Sequence, residues 1–364
     1  MRSARRFALV ILVGGATVGC GARSDLADAP APGLVCKDSP IQPALLETIG
    51  PFKDYDRATA ITVTGGDVYY SVNDGSNDPL AIYRAPIAGG AATPIVLGVP
   101  GCANSPFGYG ALVTDGRYLY TPDEEEVSLC GGGSLDVTAY DLATGATSTL
   151  PNPASPVMRY VVGVRPAPGG GAIWLYGDPT PGSDTWIVRW DGTSPSVIGS
   201  IPDLAFDFIV SGDRALVATP HSLYVASLTG AADVTPAGAV DFGKLALVGA
   251  NAEAFFYTPD GASVDRRDAA TGEVTTVGAS GVGEGAVPRW ADDAWIYFSM
   301  GDTVTSSGAE LGRVPETGGE VEVIYDDASR DGIDVVTSDA CNVYWVAEVD
   351  FADSKPAALF VRGR

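Results

Sequence analysis

The stretch NAEAFFYTPDGASVDRRDAATGEVTTVG, Asn251 to Gly278, reads as one structural unit with little added. Phe255, Phe256 and Tyr257 have the bulk that suits a pleated, half-buried strand, while Asp260-Gly261 and Thr271-Gly272 are points at which the chain can reverse. The expected fold of the stretch is strand, tight turn, strand, tight turn, strand. The same unit recurs along most of the chain, and repetition at a fixed period decides an architecture.

Counterparts of its aromatic strand are GDVYYSV aligned at Tyr69, GRYLYTP at Leu119, GAIWLYG at Trp174, DRALVAT at Leu216, DAWIYFS at Ile296 and CNVYWVA at Tyr344. With Phe256 they make seven, spaced 40 to 55 residues apart, which straddles the length of a propeller blade. Apolar runs such as Ile61 to Val63, Val161 to Val164, Phe208 to Val210, Leu245 to Val248 and Ile333 to Val336 precede the aromatic strands and are the expected inner strands. A strand with aromatic or basic residues follows, as in Ile82-Tyr83-Arg84 and Val264-Asp265-Arg266, then a turn and an outer strand. This predicts an all-β chain, a seven-bladed β-propeller of four-stranded blades; a β-sandwich has no reason to repeat one four-stranded unit seven times. The seventh unit ends at its third strand, Ala358 to Val361, while Leu45 to Ile49 is left over at the front. The N-terminal strand is therefore expected to complete the last blade and remove an open sheet edge. The competing local reading is a short helical turn over Ala44 to Thr48.

Residues 1–19 carry Arg2, Arg5 and Arg6, then the apolar run Phe7 to Val13, then small residues ending at Gly19-Cys20. The run is too short to cross a bilayer, so it reads as a signal peptide. The TVGC ending resembles a bacterial lipobox, which implies lipidation of Cys20 and attachment to a bacterial membrane, with the outer membrane expected. Residues 20–43, with Ala-Pro-Ala-Pro at Ala29 to Pro32, read as a semi-extended tether, and 44–364 as the propeller.

The net charge of −23, with three arginines and no acid before Cys20, argues against a nucleic-acid partner, whose phosphates need clustered Lys and Arg. Cys36, Cys102, Cys130 and Cys341 remain after lipidation, an even number in an oxidising compartment. In a propeller, unit-to-unit connections and second-to-third-strand loops share one face, and the other turns share the opposite face. That topology groups Cys102 with Cys130 and Cys36 with Cys341, the pairing expected here.

Ala294-Trp295-Ile296-Tyr297-Phe298, Asn342-Val343-Tyr344-Trp345 and Pro315 to Gly319 resemble the repeats of extracytoplasmic bacterial propellers, and the units over about 44–364 look like TolB-type and YVTN-type repeats. The resemblance implies a binding or scaffolding module and carries no activity.

Catalytic signatures are absent from the sequence: His221 is the one histidine, and no GxSxG, HExxH, P-loop or dinucleotide fingerprint occurs. Asp327, Ser329 and Asp331 with Gly332 resemble the opening of a calcium loop, although Ser338 stands where an EF-hand needs glutamate; calcium is the one cofactor expectation. The long second-to-third-strand loop of the second unit carries Asp123, Glu124, Glu125 and Glu126, and further acids at Asp74, Asp78, Asp178, Asp184, Asp350 and Asp353 are expected on the same face. Variable loops on a rigid β frame are where binding sites are usually built. The leading expectation is a monomeric, non-catalytic envelope module whose acidic rim binds a protein, peptide or glycan. Its rival is an envelope lyase or hydrolase with its site at the mouth of the central tunnel.

Overall fold

The computed structural model describes residues 36, 40, 42–49, 57–73, 79–100, 112–123, 136–153, 160–177, 183–230, 233–241, 245–259, 263–280, 286–300, 308–330, 332–348 and 357–364. Among them are thirty strands and no helix. β1 is Ala44–Ile49. The first antiparallel array is β2 (Arg57–Thr64), β3 (Asp67–Asn73), β4 (Pro79–Pro86) and β5 (Thr93–Pro100). The second is β6 (Val113–Thr114), β7 (Tyr118–Asp123), β8 (Asp136–Asp141) and β9 (Thr147–Leu150); the third is β10 (Tyr160–Pro166), β11 (Ala172–Gly177), β12 (Thr185–Trp190) and β13 (Pro195–Ile201). The fourth is β14 (Asp207–Ser211), β15 (Arg214–Ala218), β16 (Ser222–Ser227) and β17 (Val234–Ala239). An eight-stranded sheet follows. It joins β18 (Ala246–Ala250), β19 (Ala254–Thr258), β20 (Val264–Asp268) and β21 (Val274–Val277) to the array formed after β22 (Ala279–Ser280) by β23 (Val287–Ala291), β24 (Trp295–Met300) and β25 (Ala309–Pro315), with β27 (Glu322–Asp327) after the short β26 (Gly319–Glu320). The last array is β28 (Gly332–Ser338), β29 (Asn342–Glu348) and β30 (Ala357–Gly363), and β1 completes it.

The first strands neighbour one another in turn, β2 with β6, then β10, β14, β18, β23 and β28, and β28 returns to β2, so the arrays form a closed circuit. The core lies between arrays. Tyr69 packs with Leu119 of the next array, whereas Tyr70 packs with Tyr344 and Leu359 on the other side. Phe255 joins Leu216 and Phe256 joins Ile296 and Phe298 by the same alternation. Successive side chains of a strand point to opposite faces, and here both faces are covered. That is why the second strands read as unbroken apolar runs, with β11 and β19 buried at every position, while the outer β9 and β21 are exposed at three of four.

The packing corrects the sequence alignment of the units. Leu119, Trp174 and Ile296 pack against the preceding array, whereas Tyr69, Leu216, Phe256 and Tyr344 pack against the following one. The true counterparts of Tyr344 are Tyr120 and Tyr297, which pack forward. A slip of one residue reverses a side chain's face.

β1 pairs antiparallel with β30, from Ala44 with Val361 to Ile49 with Ala357, so Ala44 to Thr48 is strand and not a helical turn. The Gly363 N–H donates to the Pro40 carbonyl, and the Arg364 N–H donates to that of Cys341. Cys36 and Cys341 form a disulfide across 305 residues of sequence.

Within the eight-stranded sheet β18 and β23 run parallel and meet at Gly249 and Ala291. A Cβ on Gly249 would stand 2.6 Å from the Ala291 carbonyl oxygen, so glycine is needed for this approach. Gly249→Val is expected to destabilise the chain by about 1–3 kcal/mol, the usual cost of overpacking, read as a lower urea midpoint at unchanged slope.

Candidate functional site

Two faces follow from the meander order. The turns between first and second strands lie on one, here the turn face, and the connections between second and third strands lie on the other, the loop face. The turn face is built by a repeated aspartate. The Asp115 carboxylate accepts from the Arg117 and Tyr118 N–H groups through Oδ1 and from the Tyr120 hydroxyl through Oδ2. Asp339 repeats the pattern with the Cys341 and Asn342 N–H groups and the Tyr344 hydroxyl. Asn251 caps the equivalent turn through the Glu253 and Ala254 N–H groups, and Phe256 takes the tyrosine's place. This is the Asx-turn preference of short polar side chains, extended by a cross-strand hydroxyl. Burial first, and the adjacent carboxylate second, push the Tyr120 and Tyr344 hydroxyls well above the usual tyrosine value, so both stay protonated donors.

The same side chains tie neighbouring arrays together. Asp115 Oδ2 also accepts from the Gly171 N–H of the third array, and Asn251 Nδ2 donates to Glu316. At Asp292 the tie is strongest. Its Oδ1 accepts from the Ala294 and Trp295 N–H groups and from Arg364 Nη2 at 2.7 Å, and its Oδ2 accepts from the Ser338 hydroxyl, which itself accepts from Trp290 Nε1. Asp292 is fully enclosed, and Arg364 Nη1 donates to the Asp339 carbonyl. Tyr297 lies beside this carboxylate but its hydroxyl makes no hydrogen bond of good geometry. Sequence reasoning missed these residues, although Asp-x-x-x-x-Tyr is readable at Asp115-Tyr120, Asp292-Tyr297 and Asp339-Tyr344.

On the loop face, Asp123 closes β7 opposite Asp136, and Asp184 is exposed immediately before β12. Strand ends at Asn73 and Pro79, Gly177 and Thr185, and Glu348 and Ala357 open on this same face. Glu124, Glu125, Glu126, Asp74, Asp78, Asp178, Asp350 and Asp353 lie outside the described residues, as do the side chain of Asp123 and Cys20, Cys102 and Cys130. His221 is exposed in the turn between β15 and β16, and its carbonyl accepts from the Val240 N–H.

Of the residues expected at the calcium loop, Asp327 and Ser329 are described. Asp327 Oδ1 accepts from the Ser329 N–H and hydroxyl, and Oδ2 accepts from the Tyr325 hydroxyl and lies 3.6 Å from Arg330 Nε. The Ser329 hydroxyl, aided by that guanidinium, holds the Asp327 carboxyl below the usual carboxylate range. Asp331 is outside the described residues, and among the described residues no group of three or more His, Cys, Asp or Glu side chains is placed to hold a metal. Within the described residues, Asp327 is held by Ser329, Tyr325 and Arg330.

On the inner circuit, an ion pair joins two neighbouring first strands. Arg165 of β10 donates to Asp207 of β14 at 3.1 Å and lies over the Phe208 ring. Burial pushes the Asp207 carboxyl up, and the Arg165 charge and the Phe208 N–H oppose it, although a third of the side chain still meets solvent. A carboxyl raised on folding contributes stability that is full below the unfolded value, about 3.9, and is lost as pH rises through the folded value. Relative to wild type, Asp207→Asn should therefore gain stability as pH rises above about 4. Urea titrations across that range test the sign.

No protein-family model matches the sequence, and no curated protein does either. Solved structures do match. The β-propeller domain of the Trilobed protease from Pyrococcus furiosus, described as having an open velcro topology, is 15% identical with a TM-score of 0.58, covering 85% of this chain and 95% of that one. An oligogalacturonate lyase in complex with manganese is 12% identical with a TM-score of 0.57 over 88% and 91% of the two chains. The WD40 β-propeller domain of Doa1 is 13% identical with a TM-score of 0.54 over 88% and 97%. At such identities the likeness shows the fold alone: this chain contains a β-propeller domain.

Proposed function

We propose that the chain is a lipid-anchored envelope module, a seven-bladed propeller of four-stranded blades that binds a protein, peptide or glycan through its loop face without catalysis. The observation that carries this reading is the acid-rich connection between β7 and β8, which opens on the loop face. On the turn face, Asp115, Asp292 and Asp339 are taken up by turn and inter-array hydrogen bonds and serve the frame, while Asp213 and Glu253 are exposed. Asp184 stands exposed on the other face, where the sequence concentrates Asp123 to Glu126. A negatively charged rim attracts a basic partner surface or a divalent cation. The Cys36–Cys341 disulfide supports export, since such bonds persist in oxidising compartments.

The test has two arms. Cys20→Ser is expected to move the protein from membrane to soluble fractions; wild type without an acyl mass would contradict the anchor. A pull-down from detergent-solubilised envelope is expected to lose its partner when Asp123 to Glu126 are replaced by Asn and Gln. Unchanged capture would reduce that loop to a solubility element.

A catalytic reading, an envelope lyase or hydrolase, has Asp207 in its favour: a carboxyl of raised proton affinity beside a guanidinium on the inner circuit. Turnover of glycan or peptide substrates that is lost in Asp207→Asn would select it.

A further inference from the structure

We infer that the turn face, at the edge of the last array, is held toward the membrane, and that the loop face is thereby presented away from the lipid surface. The inference rests on the lipid anchor proposed above and adds an orientation to it.

The geometry begins with where the N-terminal segment joins the frame. β29 leaves the turn at Asp339 to Cys341 and runs to the loop face, β30 returns, and β1 is antiparallel to β30. Ala44, paired with Val361 near the end of β30, therefore lies on the turn face. Two further contacts fix the chain before it. The Pro40 carbonyl accepts from the Gly363 N–H, and Cys36 is bonded to Cys341 within the turn itself. Three attachments in succession bring the chain to one place on one face.

Only sixteen peptide steps separate Cys20 from Cys36. As a coil they span roughly 20–24 Å on average, and about 55 Å at full stretch. A seven-residue strand such as β29 is itself about 23 Å long. Turning the loop face to the lipid would require the tether to span the height of the array, about its mean coil span, and to pass around the edge as well, at an entropic cost that grows with that added path. With the turn face inward it needs no such extension. The disulfide fixes the attachment eight residues before β1, at Cys36 instead of Ala44, and so removes slack from the tether.

The experiment uses the full lipidated chain with a donor dye on a single added cysteine, at Ser194→Cys in the exposed β12–β13 turn of the turn face or at His221→Cys on the loop face. The protein is reconstituted into phosphatidylethanolamine–phosphatidylglycerol vesicles containing a headgroup-linked acceptor. Flotation is scored first and energy transfer second. Several-fold stronger transfer from position 194 than from 221 is expected, with the difference shrinking but keeping its sign when Cys36 and Cys341 are both replaced by serine. Failure to float would overturn the anchor and the orientation with it. Flotation with equal transfer, or with stronger transfer from 221, would overturn the orientation alone.

Discussion

Asp292→Ala is expected to destabilise the folded chain by about 3–5 kcal/mol, the range found when one partner of a buried ion pair is removed. The carboxylate is fully enclosed and accepts four hydrogen bonds, from two turn N–H groups, the Ser338 hydroxyl and Arg364. Its loss leaves the Arg364 guanidinium, only 9% exposed, with the Asp339 carbonyl as its one remaining acceptor among these contacts. It also orphans the two N–H groups that shape the turn into β24. Asp292→Asn keeps an oxygen for the turn and loses the charge, so its cost should be smaller. A double-mutant cycle with Arg364→Met separates the ion pair from the turn, because residues in direct contact couple and distant ones do not. A urea titration showing no change for Asp292→Ala would mean that the clasp between the last two arrays does not form.

Loss of the Cys36–Cys341 disulfide is the second large effect. A bridge closing 305 residues restricts the unfolded chain strongly, and removing a native disulfide costs about 2–5 kcal/mol. Cys341→Ser should lower the unfolding free energy by that amount, read as a lower denaturation midpoint, and reduction of the wild type should act in the same direction. Cys341 sits in the turn capped by Asp339, where the Arg364 N–H donates to its carbonyl, so the bond reinforces an existing closure. The β1–β30 ladder is expected to keep Cys341→Ser folded at ambient temperature. Unfolding of that variant without denaturant would show that the strand pairing cannot close the ring unaided.

Much of the frame was readable because one period dominates the chain. The Asp268 turn, Asp-Ala-Ala-Thr-Gly, shows the same chemistry as Asp-Leu-Ala-Thr-Gly at Asp141. Each carboxylate accepts from two following N–H groups, and Gly145 and Gly272 adopt φ near +75°. Such turns punctuate the strands in any reading. The closing strand was legible for a different reason: Leu45 to Ile49 had no place within a unit, and the last unit lacked an outer strand.

What failed was register. Aromatic side chains mark a second strand but not which face each one takes, since both faces are buried and alternation leaves no polar signature. Turn length settles it, through the Asp-capped turn five residues before Tyr120, Tyr297 and Tyr344. The ties between arrays were equally hidden, because Asp292 and Arg364 stand 72 residues apart and nothing local to either announces the other. The candidate binding rim was read from loop composition, and the frame's contribution is to bring those strand ends to one face.

The most direct test of the closed frame is mass mapping of peptides from the exported, non-reduced protein. The account predicts a peptide containing Cys36 joined to one containing Cys341, with Cys102 joined to Cys130. Recovery of Cys36 joined to Cys102 would contradict both the closure and the assignment of the two faces.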